Sequence, residues 1–182
     1  ISFRLKALFN GASISLFSEV RIYGKGRLVI GKGVVLQRGC TIHVEDGALL
    51  VIKDGVWIGP YSTIYVLSSV SIGEGTRIAH QCTITDNDYL IKSGSTQSVD
   101  FSKRKASPIK IMSGVWLCAN SMVLRGSNIS SGQIIKPSFF YSCAMDRYEV
   151  SDCKNWKGEY MGNFGGAGKC SAAGYTGDSP VM

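Results

Sequence analysis

Aliphatic residues return along this chain at every sixth position. Ile30, Leu36 and Ile42 are followed by Ile52, Ile58 and Ile64, then by Ile72, Ile78 and Ile84, then by Ile111, Leu117, Val123, Ile129 and Ile135. Each hexapeptide reads as a short strand with its aliphatic residue turned inward, and a small residue four places later also faces in. Three hexapeptides make a turn of about eighteen residues, and a fixed period of this kind marks a solenoid. The pattern therefore predicts an all-β protein, a parallel β-helix of about five coils. A partial coil covers Val20 to Val29, fuller coils start at Ile30, Ile52, Ile72 and Ile111, and a last one begins at Ile129.

The surplus residues are not scattered. The long steps, Ile42 to Ile52, Ile64 to Ile72 and Ile84 to Ile111, all follow the third hexapeptide of a coil. One corner of the solenoid takes every insertion, and such a corner often carries the binding face. Residues 1–19 keep no beat and are expected to be a helical or irregular lead-in to a β-helix domain of residues 20–140. Residues 90–110, rich in Ser, Gly and Lys, are expected to form one long loop projecting from that corner. Loops of this length in compact domains are usually functional or disordered. The beat stops at Lys136-Pro137, and residues 141–182 are expected to be an irregular tail with a short helix around Ala144 to Lys157. The tail segment GGAGKCS lacks the first glycine of a phosphate loop and carries Cys in place of Ser or Thr, so it reads as plain tail.

Stacking the coils turns spacing into columns. Cys40, Ser62, Cys82 and Ser121 share one place in successive coils and should line the interior. Coils stack at ~4.8 Å, which sets Cys40 and Cys82 near ~9.6 Å apart, beyond the ~7 Å that a disulfide spans. They read as small core residues of a reduced, cytosolic protein. Trp57, Arg77 and Trp116 share an outward column in three successive coils. A guanidinium between two indoles gains ~1 kcal/mol from cation–π contact. This stripe is either a sugar-stacking platform or a subunit contact. Asp86 and Arg125 also fall in one column and are expected to pair across the strands.

At 182 residues and 45% apolar composition the chain describes one domain with a real core. Its 22 glycines and 4 prolines suit tight corners. The net charge of +7 is spread out except at Lys103-Arg104-Lys105, with no interleaved aromatic–basic run, so no nucleic-acid partner is expected. Attraction for a phosphorylated small molecule accounts for the charge. No stretch approaches the ~20 apolar residues of a membrane span. The opening ISFRLKALFNGASISLF lacks a continuous signal-peptide core, and a cytoplasmic location is expected.

The segments VSIGEGTRIAHQCTITDND and IKIMSGVWLCANSMVLRGSNI resemble the hexapeptide-repeat acyltransferases, and most nearly the bacterial sugar O-acetyltransferases of capsule and lipopolysaccharide assembly. The likeness covers roughly Val20 to Ile135, and VWIGPYSTI and VWLCANSMV are its most specific part. It implies a left-handed β-helix, a homotrimer with active sites between neighbouring subunits, acetyl-coenzyme A as donor, and a sugar or nucleotide-sugar as acceptor. The segment IAHQC also resembles the His-x-Cys segment of hexapeptide acetyltransferases acting on sialic-acid precursors and bacillosamine-type amino sugars, in which that His is the base.

Acetyl transfer to a hydroxyl needs a base for the acceptor proton and donors for the oxyanion. Imidazole suits neutral pH, and the chain has two histidines, His43 and His80. His80, on an outer face, is the candidate catalytic base; His43 lies in the first full coil, far from the long loop. Asp86, Asn87 and Asp88 occupy the stretch where the capsule branch often carries its His. They either orient the sugar, support the imidazole, or form a solvated turn. Trp57, Arg77 and Trp116 complete the substrate-binding candidates. For the donor, the resemblance points to the coil after the long loop. Ala119 in WLCA matches the small residue whose backbone contacts the pantetheine arm, and Asn120, Arg125 and Lys136 belong to the same region. Lys103, Arg104 and Lys105 either meet the coenzyme's phosphates or form a solvated run. Two histidines cannot supply a three-His zinc set, so no metal is expected.

The expected function is transfer of an acetyl group from acetyl-coenzyme A to a hydroxyl of a sugar, in a polysaccharide or its precursor, by direct attack with His80 as base. Two alternatives stand beside it. One is N-acetylation of a nucleotide-linked amino sugar. The other is a non-catalytic β-helix acting as scaffold or binding subunit, which the bulky final stretch IKPSFFYSC favours.

Overall fold

The computed structural model describes residues 6–9, 15–16, 19–92 and 98–141. Within them the chain winds through three parallel sheets of six short strands each. The first sheet holds Lys6–Phe9, Arg27–Ile30, Leu49–Ile52, Ser69–Ile72, Ile109–Ile111 and Asn128–Ile129. The second holds Ser15–Leu16, Val35–Leu36, Trp57–Ile58, Arg77–Ile78, Trp116–Leu117 and Ile134–Ile135. The third holds Arg21–Gly24, Thr41–Val44, Thr63–Val66, Thr83–Thr85, Met122–Leu124 and Phe140–Tyr141. Each rung gives one strand to each sheet in turn, which is the parallel β-helix the beat predicts.

The beat also sets the register. Ile30 pairs with Ile52, Ile52 with Ile72, and Ile72 with Ile111, across insertions of quite different length. Every aliphatic position of the beat is at most 3% exposed. Burying one such side chain contributes roughly 1.5–3 kcal/mol, so a register slip in any rung would cost the whole inward set. Cys40, Ser62, Cys82 and Ser121 are buried beside them, as the column arithmetic requires. The hydroxyls are satisfied by neighbouring carbonyls: Ser62 donates to Ala79 O at 2.9 Å and Ser121 to Cys118 O at 2.5 Å. Cys40 and Cys82 are free thiols, and burial pushes both up, which makes them inert core residues.

Two expectations need correction. The lead-in is not helical where it is described: Lys6–Phe9 and Ser15–Leu16 are strands that pair with the next rung. Phe9 aligns with Ile30, Leu16 with Leu36 and Ile22 with Ile42, so the solenoid gains a rung at its start. The rung escaped the beat because Phe9 to Leu16 is a step of seven and an aromatic residue begins it. The long loop is instead an antiparallel arm, Asn87–Lys92 against Ser98–Ala106, with a bulge between Tyr89 and Leu90. The ribbon is held by cross-strand pairing rather than by a core, and its apolar residues Tyr89, Leu90, Val99 and Phe101 stay exposed, so it leaves no inward period to read. The tail readings, including the helix around Ala144 to Lys157 and GGAGKCS, fall outside the described residues. Among the described residues no helix is long and apolar enough to cross a membrane.

Candidate active site

Between the second and third sheets each rung turns through two residues, and stacking makes two columns of them. The first column is Arg38, Pro60, His80, Ala119 and Pro137; the second is Gly39, Tyr61, Gln81, Asn120 and Ser138. Residues of the second column take the left-handed backbone, with φ of 71, 58, 56, 59 and 56°. Four of them donate the N–H to the first-column carbonyl one rung back: Tyr61 to Arg38 at 2.9 Å, Gln81 to Pro60 at 2.9 Å, Asn120 to His80 at 3.1 Å, and Ser138 to Ala119 at 2.9 Å. Proline fills the first column at two rungs, so the ladder needs no N–H there. The amides of His80 and Ala119 therefore stand outside it.

His80 is exposed at this corner, in the turn between Arg77–Ile78 and Thr83–Thr85. Gly59 lets its rung come close. A Cβ on Gly59 would stand 2.6 Å from the carbonyl carbon of Ala79 and 2.8 Å from the His80 nitrogen. Ala119 is half-buried and Asn120 and Lys136 are exposed along the following rungs.

The other histidine sits in a different environment. His43 stacks on Tyr23, with ring centroids 4.3 Å apart, and meets Tyr65 edge-on at 4.7 Å. Its Nε2 lies 3.8 Å from Glu45 Oε2. The Tyr65 hydroxyl donates to Glu45 Oε1 at 2.5 Å, and Arg104 of the arm donates to the Tyr65 hydroxyl and to Glu45 Oε1. The Arg104 guanidinium also lies 5.6 Å from the Tyr65 ring centroid. Tyr65 holds the Glu45 carboxyl below the usual carboxylate range, against burial, with His43 and Arg104 acting in the same direction. This cluster anchors the arm to the outer face of the third sheet. The alignment of Tyr23, His43 and Tyr65, each one place after a beat residue, was readable from the columns. The arrival of Arg104 was not.

The acidic candidates separate by role. Asp86 is fully buried, and its carboxylate accepts the amides of Leu67 at 2.8 Å and Ser68 at 2.7 Å. Asn87, also buried, donates to Thr85 Oγ1 and Asp86 Oδ1, each at 3.2 Å. Asp88 accepts from Arg125 Nε at 3.2 Å, and Arg125 is 5% exposed. The carboxylate found against Arg125 is thus Asp88, while Asp86 caps the corner of the preceding rung. Of the predicted donor-site cations, Arg104 meets Tyr65 and Glu45 and Arg125 meets Asp88; Lys103, Lys105 and Lys136 are exposed, and Lys105 and Lys136 also have interaction partners.

Pairing puts Trp57, Arg77 and Trp116 in one column, which runs on to Val35 and Ile134. Arg77 donates to Gly55 O at 3.2 Å, and the cation–π contact found among the described residues belongs to Arg104. The arm leaves the third corner, whereas His80 stands on the second, so one chain does not bring these groups into one cleft. A shallow groove of about 110 Å³ lies on the first sheet around Lys53, Ser71 and Lys110, away from His80.

No family model matches the sequence, and no curated protein is similar enough to count as a relative. Solved structures do match the fold. A point mutant of AntD, an N-acyltransferase from Bacillus cereus, in complex with dTDP and coenzyme A, aligns with a TM-score of 0.60 and 13% identity. The match covers 76% of this chain and 73% of that one. A second AntD mutant, in complex with dTDP-4-amino-4,6-dideoxyglucose and coenzyme A, aligns with a TM-score of 0.51 and 15% identity, over 77% and 76% of the two chains. The polysialic acid O-acetyltransferase OatWY is more distant, with a TM-score of 0.40 and 15% identity over 76% and 80%. At these identities the likeness to AntD establishes the fold alone.

Proposed function

We propose that this chain is an acyltransferase that moves an acetyl group from acetyl-coenzyme A to a sugar hydroxyl, with His80 as general base. The observation that carries the reading is the second corner, where an exposed imidazole stands beside amides that the ladder does not use. His80 takes the hydroxyl proton as the oxygen attacks the thioester carbonyl. The Ala119 amide holds the oxyanion, and the coenzyme A thiolate departs and recovers the proton from the imidazolium. His43, packed between two tyrosines beside Glu45, serves the arm instead. Ala119 and Asn120 line the donor's pantetheine path, and Lys103, Lys105 and Lys136 attract its phosphates.

The separation of His80 from the arm supports a homotrimer in which a neighbouring chain closes each site. The apolar ends of the stripe, Val35 and Ile134, favour a subunit contact for Trp57, Arg77 and Trp116. A cytoplasmic location fits the donor. N-acetylation of a nucleotide-linked amino sugar is the second reading, favoured by the fold it shares with AntD, whose complexes hold coenzyme A and a dTDP-linked amino sugar.

The test is calorimetric binding of coenzyme A, followed by acetyl transfer from acetyl-coenzyme A to N-acetylglucosamine and to dTDP-4-amino-4,6-dideoxyglucose. Both the parent chain and His80→Gln should bind donor, with turnover about 10²–10⁴ lower in the variant. Equal turnover would remove His80 from the mechanism. No donor binding by either protein would leave the non-catalytic scaffold as the function.

A further inference from the structure

The second corner departs from the first in a way that packing does not explain. At the first corner the left-handed ladder position is glycine in five rungs, Gly33, Gly55, Gly75, Gly114 and Gly132, with φ between 63 and 71°. The same ladder bond forms there, for example Gly75 N–H to Asp54 O at 2.9 Å. At the second corner Tyr61 and Gln81 hold this conformation with equal bonds of 2.9 Å. Glycine would make the bond as well and without backbone strain. Neither side chain is kept for the core, since Tyr61 is 52% exposed and Gln81 is exposed. Strained residues of this kind gather where their side chains meet a ligand.

Their chemistry fits one ligand class. The Tyr61 ring rests on Gly39, where a Cβ would stand 2.3 Å from Tyr61 Cδ1 and 2.6 Å from Cε1. The Cδ1–Cε1 side of the ring is thus held against the backbone while the residue remains half exposed. One rung on, His80 and Gln81 present an imidazole and a primary amide side by side. We infer that Tyr61 and Gln81 form the acceptor subsite, with a sugar ring stacked on Tyr61, its hydroxyls held by the Gln81 amide, and the reacting group directed at His80. Rungs repeat at ~4.8 Å, about the width of one pyranose ring. An aromatic face takes the apolar side of such a ring, and an amide offers both a donor and an acceptor to adjacent hydroxyls. This assignment rests on the acetyl-transfer reading.

The experiment uses Tyr61→Gly and Gln81→Gly, because glycine keeps the corner's backbone. Tm should hold or rise by about 2 °C. KM for the acceptor, N-acetylglucosamine or dTDP-4-amino-4,6-dideoxyglucose, should rise about 10-fold for Tyr61→Gly and about 3-fold for Gln81→Gly. Affinity for coenzyme A should stay unchanged, and Tyr61→Phe should keep the acceptor KM near that of the parent chain. Donor binding with an unaltered acceptor KM would overturn the subsite alone. A fall in Tm that tracks the loss of activity would make the residues structural and overturn it too. A parent chain that binds coenzyme A but uses neither acceptor would overturn the sugar assignment, and no donor binding at all would remove the transfer reading beneath it.

Discussion

The first and second corners of this solenoid solve the same backbone problem with different residues. Both turn the chain through one left-handed residue per rung, and both tie it to the previous rung by an N–H to carbonyl bond of 2.8–3.1 Å. The first corner uses glycine at five rungs; the second has glycine at Gly39 but accepts Tyr61, Gln81, Asn120 and Ser138 at the next four. Room is not the reason, since a Cβ at Gly33, Gly75 or Gly132 would meet nothing within 4 Å. Each L-residue in this conformation costs about 1–2 kcal/mol. The first corner is therefore tuned for stability, and the second keeps strain together with the exposed groups a ligand would touch. Evolution can tolerate that strain only because the shared core beneath over-determines the turn.

Several substitutions break or sharpen this contrast. The largest effect is expected where the two corners agree. Gly59→Ala at the second corner and Gly73→Ala at the first would push a Cβ into backbone, 2.6 Å from the Ala79 carbonyl carbon and 2.3 Å from that of Met112. Each should cost about 3 kcal/mol or more in chemical denaturation. A harmless Gly59→Ala would show that the second corner can flex, and the contrast would lose its basis.

Next comes the third corner, where Asp86→Ala removes the acceptor of two backbone amides. Roughly 2–4 kcal/mol of stability should be lost. Coenzyme A affinity of the folded fraction should stay unchanged. Weaker donor or acceptor binding at full stability would return Asp86 to the functional site.

A smaller effect is expected from placing the second corner's residue in the first. Gly75→Gln should lower stability by about 1–2 kcal/mol, a fall of roughly 2–8 °C in Tm. Unchanged Tm would mean that left-handed Gln carries no strain in this ladder, and Gln81 would need another account.

The smallest effect concerns the arm. Because the Glu45 carboxyl sits below its ordinary value in the folded state, its contribution is fully present above about pH 4.5. It is lost as pH falls through the lowered folded value. Partial exposure keeps it under about 1 kcal/mol. The protection of amides 98–106, taken as observed exchange relative to the intrinsic rate at each pH, should therefore fall at acid pH, and Glu45→Gln should flatten that dependence. The same acid response in both proteins would assign it to another carboxylate.

How much was legible depended on distance along the chain. The beat residues, the inward Cys40, Ser62, Cys82 and Ser121, and the column Trp57, Arg77, Trp116 all follow from counting, because neighbouring rungs repeat one geometry. Counting lost the first rung where a step of seven interrupted it. It also placed Asp86 opposite Arg125, because a column says which backbones align and nothing about where side chains turn. Asp86 turned to the Leu67 and Ser68 amides, and Arg125 met Asp88.

By itself the sequence determined the three sheets, their register and the core, since a period of six can bury its aliphatic residue in only one way. The tertiary structure decided what the outward groups do. It folded the arm so that Arg104 reached Tyr65 and Glu45, and it packed His43 among tyrosines while leaving His80 exposed. It also revealed the left-handed residues of the second corner. Those outcomes depend on contacts across insertions and on local backbone angles, and neither is carried by the spacing of apolar residues.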